Sequence, residues 1–201
     1  MSCNYRAISI LRAFINLRGI PMFLDLISTR RSIRKFKQQP IEKEKIDILI
    51  EAALRSPSSR GFNPWRFIVI EDRAMLEKLS RAKPHGANFL KDSPLGIVVC
   101  ADTSKTDVWV EDASIASIFI HLAAHDIGLG SCWIQIRKRD QNASTSADAY
   151  IKELLNIPDP IMIESMIAIG YPDEIKKAYK KDSLQFHKIF FNTYCTKDTW
   201  K

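Results

Sequence analysis

The sequence predicts a single domain in which helices are layered on a β-sheet, of the α/β or α+β class. Three observations lead there. Four apolar runs have strand character: Trp65–Ile70, Leu95–Ala101, Ser131–Ile136 and Ile161–Gly170. Stretches with helical spacing alternate with them, the longest over residues 109–127. The 201-residue chain shows no internal repeat and no linker rich in Pro, Gly or Ser.

Each element has a local cause. Residues 23–30 read as a short helix or turn. Arg30-Arg31-Ser32-Ile33-Arg34-Lys35-Phe36 is too charged for a central strand and reads as an extended segment, which Pro40 stops. From Glu42, the residues Ile46, Leu49, Ile50, Ala53 and Leu54 recur at helical spacing. Ser56–Pro64 is a loop by composition. A short helix is expected over Met75–Arg81. Along 109–127 apolar residues cover most of the helix circumference, so burial on several sides is expected. Gly128-Leu129-Gly130 ends that helix. Asp148–Leu155 is a further helix, Pro158-Asp159-Pro160 a turn, and Gly170-Tyr171-Pro172 closes the last strand. The tail is lysine-rich and then aromatic, with Phe186, Phe190, Phe191, Tyr194 and Trp200.

Composition excludes several classes. Hydrophobic residues are 46% and charged residues 26%, which argues against a disordered chain. No run approaches the ~20 apolar residues of a spanning helix. The four cysteines, Cys3, Cys100, Cys132 and Cys195, have no C-x-x-C spacing. They fit a reduced cytoplasmic compartment and no closely paired cysteine metal site. The net charge of +7 favours anionic partners. Residues 1–21 stand apart, Arg-containing and acid-free. They read as a targeting segment or as a non-native start, with Met22 opening the domain that runs over 22–201.

Four constellations could carry chemistry. In an extended segment Arg30, Ser32 and Arg34 would share a side, and two guanidiniums with a hydroxyl suit a phosphate. The competing reading is a solvated basic stretch or a nucleic-acid contact. The Ser56–Pro64 loop offers short hydroxyls and an amide as a pocket rim, or is an ordinary connection. Gly128-Leu129-Gly130-Ser131 holds only part of a dinucleotide fingerprint, lies between a helix and a strand, and has Trp133 where the third glycine should be. No Walker A sequence is present either. His121 and His125 have metal-ligand spacing, yet Leu122 stands where a zincin needs Glu, and no third ligand stands out. Cys132 lies in an apolar strand run, where a thiol is ordinary packing rather than a nucleophile.

Taken together, Arg30-Arg31-Ser32-Ile33-Arg34, Ser56-Pro57-Ser58-Ser59 leading to Asn63-Pro64-Trp65-Arg66-Phe67, Gly128-Leu129-Gly130-Ser131-Cys132-Trp133-Ile134 and Ile169-Gly170-Tyr171-Pro172 resemble the nitroreductase family of FMN-dependent oxidoreductases. The pieces stand in family order from about Met22 to about Tyr194. The resemblance implies an α+β fold, a three-layer α-β-α sandwich with a mostly antiparallel central sheet. It implies a homodimer with FMN at the subunit interface, and the helix at 109–127 as dimer core. It places Arg30, Arg31, Ser32 and Arg34 on the ribityl phosphate, with Lys181 or Lys180 completing that site. Pro57, Ser58 and Asn63 would line the flavin, from the other subunit. Trp133, Ile134 and Gln135 would pass along the isoalloxazine. The chain departs from the family pattern at Gly61 and Asn63, where many members carry Asn and Gln.

With no nicotinamide-binding domain of its own, the chain would meet NADH or NADPH as a transient co-substrate. Ping-pong hydride transfer to nitroaromatics, quinones or similar electron-poor acceptors follows from the resemblance. No side chain is assigned as catalytic acid or base, and Arg60 and Phe62 would shape the substrate side. The alternatives on the same fold are a non-catalytic flavin-binding protein and a dehalogenase or flavin-modifying enzyme. No motif supports nucleic acid or a membrane as partner.

Overall fold

The computed structural model describes residues 22–194, so the segment 1–21 and Trp200 lie outside the described residues. The chain divides into two compact units: Arg30–Lys176, and the flanking segments on either side of it.

The larger unit is built on four strands, β1 (Trp65–Ile70), β2 (Leu95–Asp102), β3 (Gly130–Gln135) and β4 (Ile161–Gly170), in spatial order β1-β2-β4-β3. Every neighbouring pair is antiparallel. The β2–β4 register slips at Val99/Cys100, so that Val99 faces Ser165 while Cys100 faces Ile163 and Glu164 bulges out.

Alternation along β2 sends side chains to both faces, which is why it reads as a continuous apolar run. Leu95, Ile97, Val99 and Ala101 pack with Ile167 and Ile169 against Ile46 and Leu49 of α2 (Lys43–Leu54) and Ala113, Ile120 and Ala124 of α4 (Trp109–Asp126). Val98 and Cys100 pack the other way, with Ile134 and Met166, against Leu76 and Leu79 of α3 (Arg73–Leu79) and Ile151 of α5 (Ala147–Leu155). Helices therefore cover both faces of the sheet, and the fold is α+β. Local chemistry sets the helix ends. The Asp72 carboxylate accepts the Met75 amide at 2.6 Å and the Ser146 hydroxyl accepts the Ala149 amide at 3.1 Å. Gly128 ends α4 with φ +80°, a conformation that side chains resist.

The structure modifies two expectations. The 3-10 turns Ser59–Gly61 and Asn88–Asp92 are too short to show a periodicity. And α4 is not buried all round. One side carries the buried residues Asp112, Ala113, Ala116, Ser117, Ile120, His121 and Ala124, three of them polar, while Ile118 and Phe119 are exposed. One sheet covers one side of a helix, which leaves Ile118 and Phe119 on an uncovered side.

In the flanking unit, Met22–Thr29 forms the helix α1 with no buried residue. Short turns follow at Lys181–Ser183 and Phe186–Lys188, and the Phe190 and Tyr194 rings lie 4.4 Å apart.

Candidate functional site

The basic segment runs along the outer edge of β3. Ser32 forms a parallel bridge with Ser131, and the Ile33 amide donates to the Ser131 carbonyl at 3.0 Å. Beyond it, Phe36 bridges Pro172, the Lys37 amide donates to the Tyr171 carbonyl at 2.9 Å, and the Asp173 amide donates to the Lys35 carbonyl at 2.9 Å. Glycine permits this close approach. A Cβ on Gly130 would lie 2.8 Å from Ile33 Cβ, and one on Gly170, directly across the ladder, would lie 2.9 Å from the Phe36 ring.

Charge gathers where the segment crosses. Glu174 accepts the Arg34 amide at 2.6 Å and the Lys35 amide at 3.2 Å, and pairs with Lys176 at 3.2 Å. Burial works against its ionisation, but these amides and Lys176 hold its carboxyl below the ordinary range. Lys176 also donates to the Ser32 carbonyl at 2.7 Å. Arg34 lies over the Phe89 ring at 5.8 Å. Burial pushes the Cys132 thiol up, and the charges of Arg34 and Lys176 and the Ser32 side chain pull it back. Arg30 lies close enough to α4 for its charge to act on His121. Burial drives His121 down to about 4, and the Arg30 charge adds to the shift. His121 is thus neutral, its Nδ1 sharing a hydrogen bond with Ser131 Oγ at 2.7 Å. No group of three or more His, Cys, Asp or Glu gathers as a metal site among the described residues.

The strand β3 presents a polar edge. Its Ser131 carbonyl points away from β4, and strand alternation turns the peptide groups of Trp133 and Gln135 the same way. Their side chains share one face: Trp133 Nε1 donates to Gln135 Oε1 at 2.9 Å, and Gln135 Nε2 donates to the Arg137 carbonyl at 3.1 Å and Glu164 Oε1 at 3.3 Å. Glu164 is buried and its carboxyl is pushed up by that burial. Ile134 turns its side chain into the core, fully buried, so it does not face this edge.

The Ser56–Pro64 loop is clasped on itself. The Ser58 hydroxyl donates to Asn63 Oδ1 at 2.8 Å and accepts the Asn63 amide at 2.9 Å. Pro57 and Asn63 are exposed and Ser58 is half-buried. Nothing lies within 4 Å of where a Gly61 side chain would begin, so the departure there leaves open space. Behind the loop, Ile50, Ala53, Leu54, Trp65, Phe67 and Val69 line an apolar groove of about 440 Å³.

Among the sequence-derived residues, the structure sets Ser32 against β3, with Arg30, half-buried Arg31 and exposed Arg34 on the same segment. Lys181 is exposed in the flanking unit. The lysine that touches the basic segment is Lys176, which motif reading did not single out. Its signal is indirect: it is the first basic residue after Gly170-Tyr171-Pro172, and the turn there hydrogen-bonds to Lys35 and Lys37.

Fold and site define an α+β protein with a basic segment laid along the edge strand of its sheet. The comparisons give that class a family. The model of the nitroreductase family matches residues 27–84 and 77–171, and the chain belongs to that family. It is 41% identical over 154 residues to a putative NADH dehydrogenase/NAD(P)H nitroreductase of Methanothermobacter thermautotrophicus, covering 75% of this chain and 78% of the relative. A relative of the same description in Archaeoglobus fulgidus is 39% identical over 163 residues, covering 79% of this chain and 90% of that one. An FMN-dependent nitroreductase structure from Clostridium difficile superposes with a TM-score of 0.84 at 48% identity, covering 85% of this chain and 99% of that one.

Proposed function

We propose that this chain is an FMN-dependent NAD(P)H oxidoreductase acting on nitroaromatic, quinone or similar electron-poor acceptors. The observation that carries the reading is the basic segment laid along the edge strand β3, with Lys176 bonded to the Ser32 carbonyl at 2.7 Å, beside outward-turned amides at Trp133 and Gln135. Nitroreductase relatives named for NAD(P)H, and a solved neighbour named for FMN, support it.

The residues present fit FMN. The donor set at the basic segment is guanidinium, ammonium and hydroxyl, which is phosphate chemistry. Among the described residues neither Arg30 nor Arg34 has a carboxylate at ion-pair distance. Glu174 does not cancel the site, because two amides and Lys176 already occupy it. When bound, FMN supplies the hydride-accepting ring that couples NAD(P)H to the acceptor in ping-pong turnover.

The protein's own groups then have separate tasks. Arg30, Arg31, Ser32, Arg34 and Lys176 bind the phosphate, and Lys181 is a further candidate. Trp133 and Gln135 present amide N–H groups to the ring edge. Pro57, Ser58 and Asn63 line the ring from a second copy of the chain. A homodimer also gives the exposed apolar residues Ile118 and Phe119 a cover. The reading takes residues 22–201 as one flavin-binding domain, working in the cytoplasm with Cys100 and Cys132 as free buried thiols. Among the described residues no helix is long and apolar enough to cross a membrane.

The test is the visible spectrum of the purified protein, followed by NADH or NADPH without oxygen. A flavin spectrum that bleaches is expected. Arg30→Ala with Arg34→Ala should lose the flavin and keep the wild-type oligomeric state. A colourless protein that takes up no added FMN, or full flavin retention in the double variant, overturns the assignment.

A further inference from the structure

Asp112 lies one turn inside α4, with 2% of its surface exposed. Its Oδ1 accepts the Ser59 amide at 2.8 Å, and its Oδ2 is buried with no hydrogen-bond partner. A buried acceptor without a donor costs stability. A site under no other demand would hold an apolar side chain or a fully bonded one.

What the bond holds explains the cost. Arg60, Gly61 and Asn63 have φ of 52°, 69° and 46°, and two of these three are not glycine. L-residues resist that region, so the surroundings must impose it. The clasp between Ser58 and Asn63 shapes the loop internally but does not fix it to the body. Among the described residues, two hydrogen bonds carry residues 58–63 outside the loop: Ser59 to Asp112 at 2.8 Å, at the loop's start, and a longer one from Arg66 to the Asn63 carbonyl at 3.4 Å, at its end.

We infer that Asp112 is a positioning residue that anchors the Ser58–Asn63 loop to α4 in its flavin-binding conformation. The inference rests on the reading that this loop lines the flavin. Asp112 touches neither flavin nor substrate. It acts through the Ser59 amide, and its unbonded oxygen is the cost of placing an acceptor there.

The test uses the full chain as wild type, Asp112→Ala and Asp112→Asn. Asparagine keeps a carbonyl acceptor for Ser59 and alanine does not. Trypsin cleavage after Arg60 in the flavin-free protein reads the loop, and FMN titration reads the site. In Asp112→Ala, cleavage after Arg60 should quicken and the FMN Kd should rise, each by about ten- to a hundredfold, the range set by leaving a buried hydrogen-bonding group without its partner. Asp112→Asn should return both most of the way to wild type, which a general loss of stability would not do. Wild-type behaviour of Asp112→Ala in both assays overturns the inference, as does equal damage in the two variants. A loop freed in Asp112→Ala with unchanged FMN affinity overturns the flavin-lining reading and leaves the anchor standing. Amide exchange at Ser59 in the wild-type protein needs no variant: slow exchange is expected, and exchange at the rate of an open amide overturns the anchor itself.

Discussion

The two faces of the sheet are built from different material. Under α3 and α5 the buried set is mainly apolar, with Leu76, Leu79, Leu90, Ile134, Ile151 and Met166; its buried hydroxyls Ser80 and Ser93 bond locally to the Glu77 and Leu90 carbonyls, and half-buried Asp148 accepts the Ile163 amide at 2.8 Å. Under α2 and α4 the apolar set is threaded with buried polar groups. Ser117 and Ser165 hydroxyls meet at 3.1 Å, His121 meets Ser131 at 2.7 Å, and Asp112 holds Ser59. Two of these three links end on a piece of the candidate site. Ser131 bridges Ser32, and Ser59 opens the Ser59–Gly61 turn. One face supplies burial and the other also supplies position, because hydrogen bonds are directional and apolar contacts are not.

Three changes probe that contrast. The largest effect is expected on the apolar face. Leu79→Ala removes a side chain that is 1% exposed and should cost about 2–5 kcal/mol in urea unfolding. The folded fraction should still bind FMN as the wild type does; a matching loss of affinity would merge the two faces into one.

The second effect belongs to His121. Its pKa lies at about 4 in the folded protein against an ordinary 6.5, since burial and then Arg30 disfavour its charge. The unfolded chain therefore takes up this proton first as the pH falls. The contribution is fully present above about pH 6.5 and is lost on the way down to about pH 4, a change of about 3 kcal/mol. Unfolding at pH 7 and pH 4.5 should show a smaller difference for His121→Gln than for the wild type. Equal differences would remove His121 from the acid response.

The smallest effect is steric. Gly130→Ala brings a methyl to 2.8 Å from Ile33, a stiff β-branched residue between Ser32 and Arg34. A cost of about 1–3 kcal/mol is expected. FMN affinity should fall with it, because the shifted residue belongs to the basic segment. An unchanged flavin titration would show that the segment tolerates displacement.

Much of this architecture was legible in the residues. The runs Trp65–Ile70 and Ile161–Gly170 carry their strand ends as read, and the helix after Glu42 follows its apolar spacing. These patterns are local, and burial of one stripe or of both faces writes them directly into the sequence. The basic segment was legible for the same reason, as charge concentrated over a few neighbouring residues. Lys176 was not, because its relation to Ser32 spans 144 positions and depends on how the Tyr171–Asp173 turn folds back. Ile134 shows the converse. It stands beside Trp133 and Gln135 in the chain, yet strand alternation sends its side chain to the opposite face.

The sequence by itself determined the order of helices and strands, the basic segment and the loop, and through them the family. Tertiary structure decided which polar groups meet. Asp112 and Ser59 are 53 positions apart, and His121 and Ser131 lie on different elements. Periodicity records which side of an element is apolar. It carries no record of which buried donor finds which acceptor, because that pairing exists only once the sheet and α4 have packed.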